Sequence, residues 1–267
     1  MIKHLVTSGC SFSDNYGQRW PHFLSERTGT NLYNRGQGSC GNGWIAKTAI
    51  YQTQKLLDNG VSPIDILVSV MWSGIDRKEV FISANETYNY KDLNNGLAYS
   101  RNPVNFIDHE PNTPDIFSNE SGYLIGSMHC SFVNAKITKF KQDLISKYFN
   151  DEALAIESYE NFLRLQWYCS SKGIKLINQT YMDIIHYPNR EKNKLTRDYY
   201  KNVKPLYNMI DFSKWVFWGD TGGLYEYTRD NNLPFYDDNV HPLTESHKHY
   251  VDNFLIKELG KKLLLTF

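Results

Sequence analysis

The sequence predicts an α/β fold with a mostly parallel sheet, and three observations carry that prediction. Short apolar, β-rich runs alternate with stretches of helical spacing along much of the chain. The run Ile64-Asp65-Ile66-Leu67-Val68-Ser69-Val70-Met71-Trp72 is nearly continuous in apolar residues, as a central strand covered on both faces must be. Candidate chemical groups fall just past the ends of strand-like runs, where a parallel sheet places its sites.

Residues 2–8 (IKHLVTS) read as a buried first strand ending at Gly9. A helix follows from about Trp20 to Arg27, with Pro21 in its first turn. Asn31-Leu32-Tyr33-Asn34 is a second strand, and Gly36, Gly38, Gly41 and Gly43 form a glycine loop before a helix from about Trp44 to Leu57. Four glycines so close together imply a backbone that turns tightly or approaches something closely. After the 64–72 strand the periodicity breaks up over about 80–150, which reads as an insertion with short elements of its own. Residues 151–171 return to helical spacing, with Ala155, Tyr159, Phe162, Leu163, Gln166 and Trp167 near one face. Gly173 stops that helix, and 174–180 reads as a strand. Residues 184–205 are polar and patternless; a last strand is placed within 209–218 and a C-terminal helix over 242–264.

With 267 residues and roughly 150 residues per domain, one domain with insertions competes with two small ones. Lys+Arg and Asp+Glu are both 29, and this zero balance removes the simplest nucleic-acid reading. No apolar run approaches the roughly 18 residues of a membrane span, and the first residues are too polar for a secretory leader, so a cytoplasmic origin is expected. Cys10, Cys40, Cys130 and Cys169 form no C-x-x-C pair and read as free thiols. No set of residues has metal-ligand spacing, and no cofactor is indicated.

Two clusters carry chemistry. Gly9-Cys10-Ser11-Phe12-Ser13 puts a serine on a turn directly after a buried strand, where hydroxyl and amide can face one space; the same pattern suits an ordinary helix N-cap. Asp238-Asn239-Val240-His241-Pro242 offers a histidine able to take a serine proton, and an aspartate one turn away to orient it; the same residues also suit a polar loop before a helix.

Together, a serine turn after the first strand, a glycine loop after the second and D-x-x-H-P before the last helix resemble, in order and position, the SGNH or GDSL-like hydrolase superfamily. The resemblance spans the chain through a few short blocks. It implies a three-layer α/β/α sandwich of flavodoxin-like order, with 1–267 one domain carrying the 80–150 insertion. It implies Ser11 as nucleophile, His241 as general base and Asp238 as its orienting acid. The loop Asn34-Arg35-Gly36-Gln37-Gly38-Ser39-Cys40-Gly41-Asn42 is similar to the family's glycine loop, which supplies an oxyanion donor: Gly38 is the choice, with Ser39 one position away. His247, on the helix that follows, reads as structural.

One block departs. Where the family has G-x-N-D after its third strand, this chain reads Ser73-Gly74-Ile75-Asp76, with Ile75 at the asparagine position. Asn42 and Ser73 are the expected substitutes for the lost donor, beside the amides of Ser11 and Gly38. Arg77 is read either as a contact for an anionic substrate or as a surface ion pair with Asp76 or Glu79. Trp72, Trp215 and Trp218 suggest an aromatic cleft, hence a carbohydrate O-acetyl or other small ester. The expected activity is a serine esterase. A weakly active binding protein and an acyltransferase with the same triad are the alternatives. His22, His109, His129 and His186 read as surface or structural residues.

Overall fold

A computed structural model of the chain describes residues 2–14, 17–38, 40–75, 77–82, 98–101, 122–127, 151–185 and 203–263. The central sheet contains β1 (His4–Gly9), β2 (Asn31–Asn34), β3 (Ile66–Trp72), β7 (Lys175–Thr180) and the two-residue β8 (Trp215–Val216). Their order is β2-β1-β3-β7-β8, with every pairing parallel. Three further strands, β4 (Arg77–Ile82), β5 (Ala98–Arg101) and β6 (Gly122–Ser127), pair antiparallel as a separate small sheet. They fall in and just before the 80–150 stretch where an insertion is expected; the rest of 83–150 lies outside the described residues.

The helices are α1 (Trp20–Thr28), α2 (Asn42–Asp58), α3 (Asp151–Lys172), α4 (Leu224–Asp230), α5 (Thr244–Tyr250) and α6 (Ile256–Leu263). α2 and α3 pack on each other over one face of the sheet, while α1 and α4 pack on α5 over the other, which makes the fold a three-layer α/β/α sandwich. Strand parity sorts the side chains between the layers. Ser8, Val70 and Asn178 occupy matched register positions, and Ser8 Oγ lies 2.8 Å from Thr48 Oγ1 of α2. The opposite face carries Ser69 and Gln179: Gln179 Nε2 donates to Ser69 Oγ at 2.9 Å, and Tyr250 Oη donates to Gln179 Oε1 at 3.1 Å. Burial holds the Tyr250 phenol far above its ordinary value, so it remains a donor and ties α5 to the sheet.

Several expectations shift. The third strand starts at Ile66, because Pro63–Asp65 form a 3₁₀ turn that leaves Ile64 exposed. The C-terminal helical stretch is interrupted by a π turn at Val251–Leu255. α4 was not expected; it is one short stretch entered from Gly222-Gly223. Trp167 is 53% exposed, whereas Tyr159, Phe162 and Leu163 of the same helix are buried.

Trp72 is a correction with functional weight. It is wholly buried, its indole N–H donates to Asn178 Oδ1 at 3.0 Å, and its ring centroid lies 4.6 Å from that of Phe162. Trp215, 2% exposed, stacks beside it, so neither indole is offered to a ligand. Trp72→Ala is expected to lower the unfolding free energy by about 3–5 kcal/mol, the range for deleting a large aromatic from a core. Urea denaturation measures this, and a loss under about 1 kcal/mol would contradict the packing described.

Candidate active site

Ser11 stands on a turn that begins as β1 ends. The amide of Ser13 donates to the Cys10 carbonyl at 2.8 Å, closing the turn. Gly9 is required by close approach, since a methyl group there would overlap the Ser13 side chain. Cys10, Phe12 and Ser13 are buried, and Ser11 is the partly exposed residue of the turn.

The glycine loop is bonded directly to this turn. Asn34 Nδ2 donates to the Ser13 carbonyl at 2.7 Å, and its Oδ1 accepts from Thr7 Oγ1 at 2.9 Å and from the Gly36 amide at 3.0 Å. Gln37 donates its amide to the Gly9 carbonyl at 2.9 Å, and Cys40 Sγ reaches the same oxygen at 3.3 Å. Gly36 bridges to Asp14 so closely that a methyl group would collide with the Ser13 carbonyl. Gly38, next along, is partly exposed. The amides of Ser11 and Gly38 donate to no acceptor among the described residues.

Residues 234–243 form a closed loop at the other end of the chain. Tyr236 donates its amide to the His241 carbonyl at 2.8 Å and Leu243 donates to the Pro234 carbonyl at 3.1 Å. Asn239 takes a left-handed φ of 54°, which asparagine tolerates better than most residues, and the chain folds back on Asp238. Asp238 Oδ1 then accepts from the amides of Val240 and His241, both at 2.9 Å, and Oδ2 lies 2.5 Å from His241 Nδ1. His241 Nε2 is 2.8 Å from Ser11 Oγ. With the ring proton on Nδ1 facing the carboxylate, Nε2 is left to accept from the hydroxyl. Ser11, His241 and Asp238 are thus brought together as one hydrogen-bonded chain.

Burial pushes the Asp238 carboxyl up, but the two backbone N–H groups and the His241 ring outweigh it and bring it from 3.8 down to about 2. Because the folded value is the lower one, the loop gains stability from this carboxylate above pH 3.8 and loses it as pH falls through about 2.

The other expected residues separate. Asn42 is corrected: its Nδ2 donates to the Ser73 carbonyl and to Ser158 Oγ, both at 3.1 Å, and its Oδ1 accepts from the Ser73 amide at 2.8 Å. An amide engaged at every position braces the end of β3 and has no proton left for an oxyanion. Ser73 is wholly buried, and Ile75, 4% exposed, is an apolar core residue. Arg77 sits with its guanidinium carbon 5.4 Å from the centroid of Tyr181, whose ring meets that of Phe12, which in turn meets His241. Trp218 donates its indole N–H to Asp230. His22 Nδ1 accepts from the Arg19 amide at 3.3 Å. Ser39, Asp76, His109, His129, Cys130 and His186 lie outside the described residues. Among the described residues no group of three or more His, Cys, Asp or Glu is placed to hold a metal, and no helix is long and apolar enough to cross a membrane.

No protein-family model matches the chain, and no curated protein matches it. Among solved structures it is similar to a member of the lipolytic protein G-D-S-L family from Veillonella parvula DSM 2008, with 11% identity, a TM-score of 0.40, and coverage of 99% of this chain and 98% of that one. It is also similar to protein YxiM from Bacillus subtilis, with 12% identity and a TM-score of 0.44, covering 100% of this chain and 58% of that one. Scores this low carry no argument about the site, which stands on its own geometry.

Two outcomes test that geometry. In a carbon-detected carboxyl titration Asp238 should show no midpoint at the ordinary 3.8 and reach half-protonation only near 2. Gly36→Ala should cost about 1–3 kcal/mol in chemical denaturation, as overpacking does, because neither the Ser13 backbone nor the loop can retreat.

Proposed function

We propose that the chain is a serine esterase acting by acyl transfer through Ser11, His241 and Asp238. The observation that carries this reading is the continuous path from Ser11 Oγ to His241 Nε2 and from Nδ1 to the Asp238 carboxylate. Ser11 attacks the ester carbonyl as His241 takes its proton; the imidazolium is stabilised by Asp238 and returns the proton to the leaving alcohol. Water then resolves the acyl-enzyme by the same route. The amides of Ser11 and Gly38 are the proposed oxyanion donors, since both are uncommitted to protein acceptors among the described residues.

The substrate is proposed only as a small ester. A carbohydrate preference depends on an aromatic cleft, and burial of Trp72 and Trp215 leaves only the partly buried Trp218 of the three indoles to form one. One observation favours a second reading, a binding protein with little turnover: the buried Ile75 stands where a side-chain oxyanion donor is expected, and losing one such donor typically costs about 10²–10³ in rate.

A fluorophosphonate probe and short-chain aryl esters separate the two. The esterase reading expects stoichiometric labelling of Ser11, and a fall of up to about 10⁶-fold in kcat for Ser11→Ala. Ester turnover unchanged in Ser11→Ala would overturn it, and a folded wild type that takes no label would favour the binding reading.

A further inference from the structure

Arg19 lies outside the proposed triad, yet its side chain is almost wholly enclosed, 11% exposed. A guanidinium withdrawn from water must be compensated by its surroundings. Its surroundings are the segments that meet at the site. Nη1 donates to the Pro242 carbonyl at 3.3 Å, one residue after His241. Nε lies 3.6 Å from Oδ1 of Asp14, which is bridged to Gly36 of the glycine loop. The guanidinium carbon lies 5.5 Å from the ring centroid of Tyr236, whose amide donates to the His241 carbonyl.

We propose that Arg19 is a positioning residue, whose buried guanidinium clamps the histidine loop against the loop that leaves the nucleophile and so sets the distance between Ser11 and His241. The triad aspartate cannot do this, because Asp238 belongs to the same loop as His241 and moves with it. The planar fork serves three directions at once, toward a carbonyl, a carboxylate and a ring face, which the single ammonium of lysine does not. His247 agrees with this placement. It is wholly buried, and burial, followed by the charge of nearby Arg19, holds its imidazole well below the ordinary range, so it adds no cation beside Arg19.

The kinetic half of the test rests on the esterase reading; the structural half does not. Arg19→Met and Arg19→Lys are compared with wild type in p-nitrophenyl acetate turnover, circular dichroism and crystal structure. Expected for Arg19→Met is a native fold, kcat lower by about 10–100-fold with KM within about twofold, as for a misplaced catalytic group, and a Ser11–His241 contact opened from 2.8 Å. Arg19→Lys, which keeps the charge and loses the fork, should retain more of kcat. A folded Arg19→Met with wild-type kcat and the contact intact overturns the proposal. Should Arg19→Met not fold, Arg19→Lys decides by the same two measurements. A wild type that neither turns over ester nor takes the fluorophosphonate label overturns the esterase reading alone, and the crystallographic comparison still decides the role of Arg19.

Discussion

Parallel pairing of β1 with β2 on one edge and β3 on the other is the constraint on which the rest of the molecule depends. A chain that leaves a strand toward one neighbour and later returns to the other opens a crevice at that strand's carboxyl end. Ser11 sits at that opening. Every parallel strand ends on the same side, so the turn after β1, the glycine loop after β2 and the buried end of β3 converge without any long-range guidance beyond sheet register. His241 must then arrive from 230 residues away. It does so because α5, anchored to Gln179 of β7 through Tyr250, delivers the loop that precedes it.

The parts of the fold legible in the sequence are those written in local periodicity. β1, β3 and β7 are legible because short apolar runs rich in β-branched residues and bounded by turn residues favour strand over helix, β2 because Asn31–Asn34 is a short stretch between a helix and the glycine loop, and α2 and α3 because their apolar positions recur at helical spacing. β8, two residues long, is legible only as a strand somewhere within 209–218, and α4, at seven residues, is too short for a period to show. The site was legible where residues lie close in sequence: Asp238 and His241 need only a tight turn to meet. Asn42 and Ser73, 31 residues apart, gave no sign that one would saturate the other. Trp72 is deceptive in the sequence for a different reason. It shares strand parity with Val68 and Val70, which points it at α3, and that parity was available in the sequence. The number of aromatic residues drew attention to a cleft that parity argued against. Arg19 left no signal, since nothing local distinguishes a buried guanidinium from a solvated one.

An esterase site of this build makes a particular demand on the glycine loop. A side-chain oxyanion donor can adjust through its own torsions, whereas a main-chain donor is placed only as well as its loop is held. With Ile75 buried and Asn42 bound to Ser73, the proposed donors are both backbone amides, and their accuracy depends on the bonds that stitch residues 34–40 to the turn after β1. That stitching is dense. Asn34 alone reaches Thr7, Ser13 and Gly36, while Gln37 and Cys40 both close on the Gly9 carbonyl. The reliance of the proposed site on backbone donors and the dense bonding of the loop are therefore two aspects of one arrangement. A site that cannot adapt its donors must have them set before the substrate arrives, which is the condition under which electrostatic stabilisation costs no reorganisation during reaction.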